Sequence, residues 1–204
     1  MTTVTRRLIL VNVVVFALQV VYGDALVASF ALWPVGQFTV PDLGVVGFRP
    51  WQLVTSAFLH ANLVHLVLNM LALHIFGRDV ERALGAGRYL GLYSAAVLSA
   101  ACVQLVVSST ASDAGPYPTV GASGGIFGVL LAFGVLYPRR IVTLIFPPIP
   151  MPAWLFVTLY GLMELTNGVL GTEAGVAHFA HLGGMLGAYL MLRRWGRREP
   201  DEAW

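Results

Sequence analysis

Three apolar stretches of the sequence carry side chains able to do acyl-transfer chemistry. Ser123 sits in Gly121-Ala122-Ser123-Gly124-Gly125, His65 and Asn69 in His65-Leu66-Val67-Leu68-Asn69, and two more histidines in Ala177-His178-Phe179-Ala180-His181-Leu182-Gly183-Gly184. A serine hydroxyl is a weak nucleophile until a base takes its proton, and His65, His178 and His181 are the candidate bases. Attack on a carbonyl leaves a negative charge that needs preorganised donors. A helix beginning at Ser123 presents free N–H groups and its positive dipole end to such a charge. His65 and Asn69, at i and i+4, project from one helix face and can donate to one oxygen. No metal or other cofactor is expected. The single cysteine, Cys102, lies in an apolar run, there is no His-Glu-x-x-His pattern, and His178 and His181 come without a third ligand.

The elements that must position these groups follow from composition. The chain has 204 residues, 57% hydrophobic and 11% charged, with a mean hydropathy of +0.77. A soluble domain carries about a quarter charged residues, so a water-soluble enzyme and a nucleic-acid-binding protein are both excluded. Apolar runs near the ~30 Å crossing length occur at about Leu8–Tyr22, His60–Phe76, Tyr89–Val107, Ser123–Tyr137, Ala153–Leu170 and Val176–Leu192. The expectation is an all-α membrane protein, a polytopic bundle of six transmembrane helices forming a single domain over residues 1–204. Turn chemistry separates the runs, as in Gly85-Ala86-Gly87, Gly115-Pro116-Tyr117-Pro118 and Pro147-Pro148-Ile149-Pro150. The first run lacks a small-residue cleavage site, so it is expected to be retained. All 12 basic residues are arginine, and all but Arg49 fall in the termini and the second and fourth loops, which places both ends in the cytoplasm. The loop from Gly23 to Ser56 is then external, and Phe30, Trp33, Phe38, Phe48 and Trp51 suit it to the headgroup level.

Depth ties the polar residues together. Counting from the arginine that ends each helix at ~1.5 Å per residue, Ser123 stands ~24 Å from Arg139, His65 ~20 Å from Arg78 and His181 ~18 Å from Arg193, one layer below the external face. The fourth run is short, so Ser123 should begin a helix inside the membrane, led in through Pro118 and Gly121. Packing separates the histidines. His181 is flanked on its own face by Ala177, Gly184 and Ala188, and the serine helix offers Gly121, Gly124, Gly125 and Gly128, so the two can approach in the small-xxx-small manner. His178 has Met185 at i+7, and His181 is the better base. His60 and His74 read as structural. Glu164 is the one acid inside an expected span, and no carboxylate is expected near His181.

His65 with Asn69, Gly121-Ala122-Ser123-Gly124, and Ala180-His181-Leu182-Gly183-Gly184, in that order and in the second, fourth and sixth runs, resemble the rhomboid family of intramembrane serine proteases. The resemblance covers nearly the whole chain. Phe76-Gly77-Arg78-Asp79-Val80-Glu81 with Gly85 looks like a loop of that family, and Trp51-Gln52 is similar to its external Trp-Arg pair with the arginine replaced. The resemblance implies a Ser123–His181 dyad without an aspartate, with no metal or cofactor. Asn69, His65 and the backbone at Ala122 and Ser123 would hold the oxyanion, and Phe127 would stack on the catalytic imidazole. Gly121, Gly124 and Gly184 would provide close helix packing. It further implies single-span membrane proteins as substrates, reached laterally between the second and fifth helices, in a lipid bilayer and with no nucleic acid. The inner (plasma) membrane of a bacterium is the expected compartment. The alternative is a catalytically silent relative that binds membrane clients, but such relatives lose the serine or histidine that this chain keeps.

Overall fold

In a computed structural model the described residues are 2–110, 116–143, 147–171 and 177–196. Helix α1 (Thr3–Tyr22) leads into an external segment built from α2 (Asp24–Phe30), an antiparallel hairpin of β1 (Phe38–Val40) and β2 (Gly44–Val46), and the short α3 (Gln52–Thr55). Helix α4 (Leu63–Ala72) passes through a π-turn at Leu73–Gly77 into α5 (Arg78–Leu84). Then follow α6 (Ala86–Thr110), α7 (Ser123–Leu136), a second hairpin of β3 (Ile141–Thr143) and β4 (Pro150–Pro152), α8 (Ala153–Leu170) and α9 (His178–Trp195). The six runs of the sequence thus become α1, α4 with α5, α6, α7, α8 and α9. Gly115, Val176, Arg197 and Arg198 lie outside the described residues.

Four of these helical segments, Thr3–Tyr22, Leu63–Leu84, Ala86–Thr110 and Ala153–Leu170, are long and apolar enough to cross a membrane. Helix α7, with 14 residues, is short, as the sequence suggests. Polarity is arranged for lipid. Helix α1 exposes Leu10, Val14, Leu18 and Val21 while burying Thr5 and Asn12; α8 exposes Leu159, Leu162 and Leu165 while burying Glu164. The chain is an all-α polytopic membrane protein, with small hairpins confined to its loops.

The second span differs from expectation at both ends. It starts at Leu63 rather than His60, because Asn62 caps it by accepting the His65 N–H at 2.9 Å. It continues past Phe76 to Leu84, through residues that read as a charged loop. Their charges are matched within the fold. The Asp79 carboxylate meets Arg140 at 2.9 Å and also contacts Arg78 and Arg82. Glu81 reaches the start of α1, where it accepts the Val4 N–H at 2.9 Å, the Thr5 N–H at 2.8 Å and the Thr5 hydroxyl at 2.7 Å. A carboxylate there satisfies orphan donors and complements the helix dipole.

The external segment carries its own small core of Ala31, Trp33, Val46 and Leu59. Trp33 is therefore wholly buried rather than at the headgroup level, whereas Phe30 and Trp51 are exposed. Gln52, buried, fastens this segment. It accepts the Arg49 N–H at 3.1 Å and the Trp33 N–H at 3.3 Å and donates to the Gly47 carbonyl at 3.2 Å, while Trp51 donates to the Ser29 carbonyl at 2.9 Å. The glutamine thus ties three stretches of the loop together.

Glu81→Ala leaves buried donors of α1 unmatched and should lower stability by about 2 kcal/mol, read as a lower thermal midpoint in detergent micelles. An unchanged midpoint would mean that the α1 cap contributes nothing.

Candidate active site

Helix α7 starts at Ser123 after a lead-in that the external segment holds in place. Leu32 and Thr119 exchange backbone hydrogen bonds at 3.0 and 2.9 Å, and the Gly121 N–H donates to the Ser56 carbonyl at 3.0 Å. Gly121 has φ +131°, a conformation that glycine adopts without strain. No side chain caps α7, so no side-chain acceptor takes up its first-turn N–H groups. Ala122 is buried and its carbonyl accepts the Ile126 N–H at 3.0 Å, which leaves its own N–H as its polar contribution.

Across from this terminus, His181 Nε2 lies 2.8 Å from Ser123 Oγ. Phe127, one turn after the serine, stacks on the imidazole with centroids 4.2 Å apart and planes 7° apart. The approach depends on bare backbone, since a Cβ on Gly184 would overlap the Gly124 carbonyl and one on Gly128 would lie 3.2 Å from the Ala188 Cβ. The glycines of the serine segment do not all face α9, however. Gly125 faces Tyr93 and Val97 of α6, and Gly121 faces His65. A segment with glycine at four nearby positions, one in the lead-in and three in α7, has more than one close side, and α6 and α4 take the others.

His65 and Asn69 line one cavity of about 960 Å³ together with Ser123 and His181. The Ala61 N–H points to His65 Nδ1 at 3.4 Å, which puts the imidazole proton on Nε2. A Cβ on Gly121 would sit 2.9 Å from His65 Nε2 and 3.5 Å from Ser123 Oγ, so those two groups converge on the space that glycine leaves free. Asn69 is buried, and its amide nitrogen has no hydrogen-bond partner among the described residues. His60 is buried edge-on against His65 at 5.1 Å, and His74 is exposed.

One residue of the site contradicts the sequence reading. Glu164 of α8, 5% exposed, brings Oε2 to 2.7 Å from His178 Nδ1 and 2.9 Å from His181 Nδ1. The first meets hydrogen-bond geometry; the second, 0.2 Å longer, is a close but bent contact that does not. A carboxylate therefore does stand beside His181, and the two histidines of α9 do have a third potential ligand. Their donor atoms lie within 4.8 Å of one another, as a metal site would require, yet the separations are hydrogen-bond lengths. The cause is the packing of α8 on α9. Gly161, Glu164 and Gly168 fall at i−3, i and i+4 on one face of α8, and the glycines admit Met185 and Phe179 of α9. That spacing was the available signal.

Comparison with known proteins follows the same lines. The family model described as the Rhomboid domain matches residues 47–197. The chain is 34% identical over 142 residues to "Rhomboid protein 1, mitochondrial" of Saccharomyces cerevisiae, covering 66% of this chain and 39% of that protein. It is 31% identical over 204 aligned positions to "Rhomboid protease AarA" of Providencia stuartii, covering 92% of this chain and 71% of that one. With "Rhomboid protease GluP" of Bacillus subtilis it shares 44% identity over 80 residues, 39% of this chain and 14% of that protein. The chain thus spans well under half the length of the yeast protein and of GluP.

Gly184→Ala should push α7 and α9 apart, lowering stability by about 1 to 3 kcal/mol and separating Ser123 from His181. The readouts are the thermal midpoint and the rate of Ser123 modification by a fluorophosphonate. Gly91→Ala, whose Cβ would meet nothing closer than 3.7 Å, should leave both unchanged. Equal behaviour of the two variants would refute the close-packing account.

Proposed function

The chain belongs to the rhomboid family, and from that premise we propose that it is an intramembrane serine endopeptidase that cuts single-span membrane proteins within or near the bilayer. Ser123 is the nucleophile and His181 its base. The observation that carries this reading is the 2.8 Å separation of Ser123 Oγ and His181 Nε2, at hydrogen-bond reach for proton transfer and inside a cavity.

The chemistry follows from the positions of the donors. As Ser123 Oγ bonds to the substrate carbonyl carbon, its proton passes to His181 Nε2 and the carbonyl electrons move onto oxygen. The His65 Nε2–H, the Asn69 amide and the Ser123 backbone N–H donate to that oxyanion. Collapse of the tetrahedral species breaks the peptide bond, and His181 returns its proton to the departing amine. A water, deprotonated by His181, then attacks the acyl-enzyme and frees Ser123. The unpartnered Asn69 amide is an unfilled donor until such an oxygen arrives.

Substrates reach the cavity from the side. Leu68 and Leu71 of α4, Ile75 of the π-turn and Phe156 and Tyr160 of α8 all line the cavity, which suits access by a transmembrane segment between these helices. The distribution of arginine supports cytoplasmic termini. The membrane in this reading is a bacterial inner membrane, and residues 1–204 act as one domain.

Purified protein in liposomes should cleave a single-span reporter. Ser123→Ala and His181→Ala should each abolish cleavage while remaining folded, and the double variant should lose nothing more. A Ser123→Ala protein as active as wild type would overturn the reading.

Asn69→Ala should lower kcat by roughly ten- to a thousandfold with little change in KM. An effect confined to KM would make Asn69 a packing residue.

A further inference from the structure

We propose that Glu164 positions His181, so that the reacting unit is a serine–histidine–glutamate array rather than a bare dyad. The inference rests on the roles of Ser123 and His181 given above and adds a residue to them. The Phe127 stack fixes the plane of the imidazole, at 7° from its own, but not its orientation within that plane. A flip about the Cβ–Cγ bond keeps the stack and exchanges Nε2 with Cε1 and Nδ1 with Cδ2. Only one flip state presents a nitrogen to Ser123. An acceptor at Nδ1 selects that state and fixes the tautomer that leaves Nε2 free to take a proton.

Glu164 Oε2 is the atom in place to do this, 2.9 Å from Nδ1. His181 Nδ1 is buried and has no aligned hydrogen bond to any other group among the described residues. His178 holds the same carboxylate oxygen from its other side at 2.7 Å, which aims the carboxylate and supplies a donor that water cannot provide at a buried site. The bent contact at rest is of the kind that tightens when charge develops. Charge develops when the Ser123 proton reaches Nε2, for the imidazolium then lies against a buried carboxylate, and the attraction is stronger in the transition state than before it. Nδ1 keeps its proton throughout, Glu164 stays ionised, and the proton gained at Nε2 leaves with the amine.

The test is steady-state cleavage of a single-span reporter in liposomes by Glu164→Gln and Glu164→Asp, alongside Ser123→Ala. Glu164→Gln keeps the shape and an acceptor for His178 but carries no charge. It should lower kcat roughly ten- to a thousandfold with KM nearly unchanged, and Glu164→Asp should recover part of that loss. A folded Glu164→Gln protein with wild-type kcat, or a loss that resides in KM, overturns the proposal. If Ser123→Ala is inactive while Glu164→Gln turns over normally, only the role of Glu164 fails; if Ser123→Ala is active, the underlying assignment fails. Should Glu164→Gln not fold, proton NMR of wild-type protein with 15N-labelled histidine decides. A strongly downfield Nδ1 proton that moves when Ser123 is phosphonylated supports the array, and its absence overturns it. Stimulation of the wild type by a chelator would assign Glu164, His178 and His181 to a cation and would overturn it as well.

Discussion

The 2.8 Å contact between Ser123 and His181 exists because two helix backbones touch at Gly124 and Gly184. Lipid offers no hydrophobic drive for helices to associate, so such an approach depends on packing and on the absence of side chains at the crossing. The same device recurs on the third helix of the layer. A Cβ on Gly183 would lie 2.9 Å from Val103, one on Gly187 2.7 Å from Ser99, and one on Gly125 2.6 Å from Tyr93. Helices α6, α7 and α9 are thus drawn together by glycines on several faces, and Ser123 and His181 sit where two of them meet.

Burying polar groups is costly, and the fold meets much of the cost by pairing them. Glu81 is absorbed by the start of α1, Gln52 by the external segment, and Glu164 by His178 and His181. Pairing is not complete: among the described residues the Asn69 amide nitrogen, both ring nitrogens of His60 and the Tyr93 hydroxyl are buried without a hydrogen-bond partner. Of these, Asn69 lines the same cavity as Ser123. A buried donor without a partner costs roughly 1 to 3 kcal/mol, which donation to an oxyanion in that cavity would recover.

Much of this was legible in the sequence, because the candidate catalytic groups sit in apolar runs where few other residues are polar. Ser123, His65 and His181 could be set at one depth by counting residues, and Phe127 could be placed one turn from the serine. The continuation of the second span through Arg78, Asp79 and Glu81 was not legible. Each charge argues for a loop until Arg140 and the N-terminus of α1, both distant in sequence, are known to neutralise it. Glu164 was visible as an acid inside a span, but its partners lie on the next helix. Its approach to His181 depends on the register of α8 against α9, which no local pattern fixes. The anchoring of the external segment by Gln52 was likewise hidden, since four backbone groups from separate stretches converge on one side chain.

In the proposed reading, burial and the His181 imidazole make the Ser123 hydroxyl nucleophilic inside the membrane. Incubating the protein in liposomes with a fluorophosphonate and mapping the adduct by peptide mass spectrometry tests this. One adduct is expected, on Ser123, and its formation should be lost in His181→Ala. An adduct on a different residue, or full labelling of Ser123 when His181 is absent, would contradict it.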